Sequence, residues 1–104
     1  MPINRQEALE AMLLQDPNNT FARYGLAMEF VNTGNLMQAV REFEELVIRN
    51  PDYAAAYFHA GQTYEKLGRT DEARSMYQRG IQVTTRTGDG HTRGELEGAL
   101  AALD

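Results

Sequence analysis

The residues able to do chemistry are few and scattered. Histidines stand at positions 59 and 91, 32 residues apart and without a ligand-like neighbour, so a shared metal or proton relay is not expected. His59, beside Phe58, reads as a residue of a helix surface or the edge of a groove, and His91 as a loop residue. Glu42, Glu44 and Glu45 form a short acidic run. Acid–base work by paired carboxylates requires a shared cleft; on the outer face of a helix such a run is expected to be solvated surface. Gly88, Asp89, Gly90 and Gly94 make a glycine-rich stretch, but no strand precedes it and no Gly-Lys-Ser/Thr follows, so a phosphate cradle is not indicated. Gly88 reads instead as a helix end, and Asp89-Gly90 as a turn. Asn18-Asn19-Thr20 matches a glycosylation pattern that has no meaning in a cytoplasmic chain. No catalytic residue, cofactor site or metal ligand emerges, and enzymatic activity is unsupported.

Composition narrows the remaining classes. The 104 residues are 42% hydrophobic and 24% charged, with a formal net charge of −5. That balance suits one soluble folded domain and has the wrong sign for a nucleic-acid binder that works through overall charge. The chain has no cysteine, which excludes disulfide frameworks and thiolate metal sites. No apolar run is long enough to span a membrane, and Met1-Pro2-Ile3-Asn4-Arg5 opens no secretory hydrophobic region. A cytoplasmic protein is expected, although a removed export signal would leave no trace.

The elements that position these residues follow a period. Pro17 and Pro51 are 34 residues apart, and the same offset carries Leu26 to Ala60, Ala27 to Gly61, Phe30 to Tyr64, Gly34 to Gly68, Ala39 to Ala73 and Phe43 to Tyr77. Small residues stay small, aromatic stays aromatic, and the loop glycine stays glycine. Within each unit the apolar spacing is helical. Tyr24, Ala27, Phe30 and Val31 mark a first helix that Gly34 stops. Asn35 with Gln38 reads as a capping box for a second helix, which carries Leu36, Ala39, Val40, Phe43, Leu46 and Val47 and ends before Pro51. The second unit repeats this: a helix over roughly 53–67, a Gly68-Arg69 turn, then a helix capped by Thr70 and running to about 86. Two stacked helical hairpins result.

The flanks are also helical. Ala8, Leu9, Met12 and Leu13 form a stripe that runs into Asp16-Pro17, like the second half of an upstream unit. At the other end Thr92-Arg93-Gly94-Glu95 reads as a capping box, followed by Leu96, Ala99, Leu100 and Leu103 at helical spacing. Extending the register would set His91, Gly94, Glu95 and Gly98 opposite Tyr57, Ala60, Gly61 and Tyr64, and the first and last of these fail. The last helix therefore reads as a cap. The expected organisation is all-α with about six helices: an N-terminal helix at 1–16, units at 20–53 and 54–87, and a capping helix at 91–104.

Tyr57-x-x-Ala60-Gly61-x-x-Tyr64, Ala73-x-x-x-Tyr77 and the boundary proline resemble the tetratricopeptide repeat family, as do Leu26-Ala27-x-x-Phe30, Ala39-x-x-x-Phe43 and Pro51. Arg23 stands where that family usually has an aromatic residue. The resemblance covers about residues 20–87, with a half repeat before them. It implies a short right-handed α-solenoid of antiparallel helix pairs, with Ala27, Gly61, Ala39 and Ala73 at close helix contacts and Phe43 and Tyr77 between units. It also implies a concave groove, lined by the first helix of each pair, that takes peptide or helical segments of other proteins. If Ala27, Phe30, Ala60 and Tyr64 face the paired helix, then Phe21, Tyr24, Met28 and Val31 share another stripe, matched in the second unit by Ala55, Phe58, Gln62 and Glu65, with the basic Lys66 beside its end.

This stripe is the expected binding surface, with core burial beneath the flanking helices as the alternative. A subgroup of the family grips C-terminal carboxylates of chaperones with lysines and asparagines. Tyr24, Met28, Phe58 and Gln62 occupy those rows here and only Lys66 is basic, so that clamp is not expected. The leading expectation is a protein–protein interaction module with no cofactor. The alternative is self-association as a homodimer through the groove or the exposed last helix.

Overall fold

A helix leaves backbone donors unpaired at its start and acceptors unpaired at its end, and this chain satisfies them by a small set of repeated devices. The computed structural model describes residues 4–103 and contains six α-helices and no strand among them. They are α1 Arg5–Gln15, α2 Thr20–Asn32, α3 Leu36–Arg49, α4 Ala54–Lys66, α5 Thr70–Thr87 and α6 Gly90–Ala102. Met1 to Ile3 of the expected helix at 1–16, and Asp104 of that at 91–104, lie outside the described residues.

Three of the helices stop on a glycine. Gly34, Gly68 and Gly88 have φ of 81°, 74° and 80°, the left-handed region in which a side chain would be strained. In each case the next residue's N–H donates five residues back: Asn35 to Phe30 O at 2.8 Å, Arg69 to Tyr64 O at 2.9 Å and Asp89 to Thr84 O at 3.0 Å. These turns decide which caps are possible. The Asn35 amide is turned onto Thr33 Oγ1 at 2.9 Å and makes no cap bond, so the Asn35–Gln38 capping box does not form. Arg69, not Thr70, holds the N-cap position of α5, and Thr70 is already helical. Asp89 caps α6 by accepting the Thr92 N–H at 3.1 Å, so helix begins at Gly90 and the expected box at Thr92 is already inside it. Asp89-Gly90 is thus a helix start rather than a free turn.

The helices pack on their neighbours in chain order, and α6 also reaches back to α4. The stack measures 47 × 29 × 19 Å. Phe43, Tyr77, Leu46, Met76 and Leu96 are fully buried along its axis. Two glycines permit closest approach. A Cβ on Gly61 would lie 2.2 Å from Tyr77 Cε1, so the Tyr77 ring occupies the space a side chain would need. Tyr77 therefore fills its own hairpin, and not only the gap between units as the repeat pattern suggests. A Cβ on Gly80 would meet Tyr57 Cβ at 2.8 Å and Leu96 Cδ1 at 2.9 Å, so this glycine lets both α4 and α6 close on α5.

The last joint departs from the period for a local reason. Position 85, which the register sets opposite Pro51, is threonine, and α5 runs on to Gly88. It has 18 residues where α3 has 14. Leu96 is fully buried, and Ala99, Leu100 and Leu103 pack against the core, so the apolar stripe of α6 is turned inward. The rest of α6 stays largely exposed, as expected of a capping helix.

The Gly61 contact gives a direct test. Gly61→Leu should leave the chain unfolded by circular dichroism, and Gly61→Ala should cost about 1–3 kcal/mol in urea denaturation, because the Tyr77 ring has nowhere to go. A native melting temperature for Gly61→Leu would show that α4 and α5 are not packed at this distance.

Candidate functional site

The row expected to line a groove is graded in exposure. Phe21 is 68% exposed. Tyr24, Met28, Val31, Ala55 and Phe58 are half-buried, and Gln62 and Lys66 are exposed. The partial cover comes from the joint between the two hairpins. Tyr24 lies 5.3 Å from Tyr53, 6.3 Å from Phe43 and 5.8 Å from His59 between ring centroids. Phe58 lies 5.4 Å from His59 and 6.4 Å from Tyr77. Tyr24 and Phe58 are therefore joined through His59, whereas Phe21 projects from the start of α2 and Lys66 stands at the end of α4.

His59 is corrected from a helix-surface or groove-edge residue to the centre of this aromatic cluster. Its ring stacks on Phe43 at 6.4 Å with an interplanar angle of 18°. Burial holds its imidazole below the ordinary histidine range, with Glu95 opposing the shift and Lys66 adding to it. Burial also raises Tyr24, and Tyr53 beside it adds to the effect. A signal for the position of His59 existed in the repeat. The 34-residue offset pairs His59 with Gly25 and Phe43 with Leu9. A Cβ on Gly25 would lie 3.2 Å from Leu9 Cδ2, so the same joint recurs between α1 and α2.

Arg23, the departure from the repeat pattern, is a structural replacement. Tyr57 OH donates to Pro51 O at 2.7 Å, and Arg23 Nη2 donates to Pro17 O at 3.0 Å, the equivalent carbonyl. Arg23 also pairs with Glu42 at 2.6 Å, with side chains only 12% and 24% exposed. The register sets Glu42 opposite Met76, so an ion pair in one hairpin stands where tyrosine and methionine stand in the next. The acidic run is thus not simply solvated. Glu42 binds Arg23, Glu44 accepts the Tyr64 hydroxyl at 2.9 Å and meets Arg79 at 3.4 Å, and Glu45 pairs with Arg49 at 3.1 Å. Burial, then the Glu44 acceptor, pushes Tyr64 up to about 12. Tyr77 is raised by burial and by donating its hydroxyl to Glu65.

Along the row, α4 and α6 border an open cleft of about 430 Å³, lined by Phe58, Gln62 and Glu65 on one side and Gly94, Glu95 and Gly98 on the other. Among the described residues no group of three or more His, Asp or Glu side chains is placed to hold a metal ion, and no helix is long and apolar enough to cross a membrane. What the arrangement offers is surface: an apolar ridge on α2, an aromatic joint, and a cleft with charged edges.

The tetratricopeptide repeat family model matches residues 24–82. The TPR repeat-containing protein PA0015 of Pseudomonas aeruginosa is 26% identical over 98 residues, 94% of this chain and 93% of that protein. The tetratricopeptide repeat domain protein from Salinibacter ruber, solved in solution, superposes with a TM-score of 0.78 at 41% identity, over 85% of this chain and 89% of that one. PcrH, in complex with the chaperone binding region of PopD, superposes at 0.88 with 18% identity, over 94% and 74% of the two chains, a likeness of fold.

The histidine at the joint makes stability depend on pH. Its folded-state value is depressed below 6.5, so the unfolded chain takes up the proton first as the pH falls. The stability it confers is fully present above the unfolded value and is lost as the pH drops towards and through the folded one. The urea midpoint of the parent should therefore fall between about pH 7 and about pH 5.5, and fall less in His59→Phe. Equal slopes in the two proteins would show that the ring protonates as freely in the folded chain as in the unfolded one.

Proposed function

This chain belongs to the tetratricopeptide repeat family, and from that premise we propose that it is a protein-interaction module that holds a peptide or helical segment of another protein along α2, α4 and α6. One observation carries the reading. Phe21 is 68% exposed at the head of a row whose other members, Tyr24, Met28, Val31 and Phe58, are only half-buried. Tyr24 also packs on Phe43 of α3, but Phe21 stands outside that packing, and aromatic and methionine side chains are the usual anchors of interfaces. The row turns polar at Gln62 and Lys66, which gives a bound segment a direction, with its apolar side chains on α2. The fold itself serves such a role elsewhere, since PcrH is seen in complex with a binding region of PopD.

No catalytic role is part of this reading: Tyr24 packs in the aromatic joint, Glu65 accepts the Tyr77 hydroxyl, and Lys66 stands exposed at the end of α4. Self-association is the second reading. The inward stripe of α6 leaves the groove as its surface, and the exposed Phe21 favours it there.

Truncating Tyr24 would damage the joint with Phe43 and Tyr53, so the cleaner probe is Phe21→Ala with Phe58→Ala. A partner captured from cells and titrated against this double variant should bind about 1–3 kcal/mol more weakly at unchanged helical content. Lys66→Ala should matter less, and chiefly at low salt. Undiminished binding by the double variant would remove the groove as the site. Sedimentation separates the second reading, which requires a dimer of the 11.7 kDa chain that Phe21→Ala dissociates.

A further inference from the structure

The cleft between α4 and α6 is more selective than the ridge on α2. Its α6 wall carries Gly94 and Gly98, and a Cβ at either would meet nothing within 4 Å. Glycine inside a helix weakens it relative to alanine, and here no neighbour's close approach accounts for the choice, unlike at Gly61 or Gly80. The two glycines leave depth instead. The half-buried Phe58 of α4 and Ala99 of α6 give the cleft apolar surface. Two carboxylates face the space from opposite walls, Glu65 on α4 and Glu95 on α6, and no arginine or lysine joins the described lining. Glu65 accepts a neutral donor, the Tyr77 hydroxyl. Among the described residues Glu95 lies 3.7 Å from His91 of its own helix, a contact that is ionic only when the imidazole is protonated, and its charge also acts on His59.

An apolar surface that includes one aromatic ring, with two carboxylates beside it, complements one kind of group, a cation on an aliphatic stem. The chain's net charge of −5 adds a long-range bias of the same sign. We propose that this cleft receives an arginine or lysine side chain of the bound segment, its stem along Phe58 and Ala99 and its charge between Glu65 and Glu95. This rests on the groove reading above and deepens it: the partner segment is apolar where it meets α2 and basic where it meets α6.

The probes are two capped peptides of about twelve residues, one of leucines and arginines and one with each arginine replaced by glutamate. They are titrated into the ¹⁵N-labelled chain and followed by amide shifts. The arginine peptide should move the amides of Gly94, Glu95 and Gly98, and the glutamate peptide should not. Glu65→Gln with Glu95→Gln should weaken the arginine peptide by about fivefold or more. Gly98→Leu, which has room to fold normally, should block it by filling the cleft. Equal shifts from both peptides, unchanged affinity in the paired glutamine variant, or no shift on α6 would overturn the proposal. Shifts confined to Phe21, Tyr24 and Met28 would do so while leaving the groove reading standing, and an absence of shifts on α2 as well would count against both.

Discussion

The Tyr77 ring lies where a side chain at position 61 would have to be, and much of the molecule is arranged around that exclusion. It sets the separation of α4 and α5. Because the ring reaches through the hairpin, its centroid lies 6.4 Å from that of Phe58 and its hydroxyl meets Glu65, both on the candidate binding face. A core contact and a surface site are therefore the same contact seen from two sides. The first hairpin uses alanine and phenylalanine at the equivalent positions, which keeps the small-against-ring pairing with a different division of volume.

The end of the stack follows from a missing proline. α1 and α3 stop just before proline, whereas α5 meets threonine at the matching place and continues to Gly88. The longer helix carries α6 out of the repeat register. Leu96 then settles over Gly80, α6 touches α4 as well as α5, and the wall opposite Phe58 is formed by small residues. The shape of the groove's far end is a consequence of helix length rather than of any residue within the groove.

Much of this was legible in the sequence. The 34-residue offset, the helix-ending glycines and the six-helix order follow from size classes, which a repeat preserves because each unit packs on the next. Reading by equivalence is weakest where the units differ. His59 read from its neighbours as a helix-surface or groove-edge residue, yet it and its counterpart Gly25 both face the preceding unit, through Phe43 and Leu9. Asn35 and Thr92 have the right side chains to cap a helix, but the path of the chain into each helix decides whether those side chains point at the first turn. Gly80 gave no periodic signal at all, since its counterpart is Leu46. The row from Phe21 to Lys66 was identifiable as a stripe; its graded exposure was not, because the rings that cover Tyr24 come from α3, from α4 and from Tyr53 at the start of α4.

The two hairpins reach the same proline-bounded loop by different chemistry, Arg23 with Glu42 in one and Tyr57 with Met76 at the matching positions of the other. They are therefore matched sets rather than spare parts. A chimera that copied whole hairpins, in either order, would carry each set intact. One that exchanged single helices would set the Arg23 guanidinium opposite a thioether, or Glu42 opposite a phenol, and leave a charge buried without its counterion, a defect that typically costs about 3–5 kcal/mol. The unit in which this sequence can be duplicated, shuffled or extended is the helix pair.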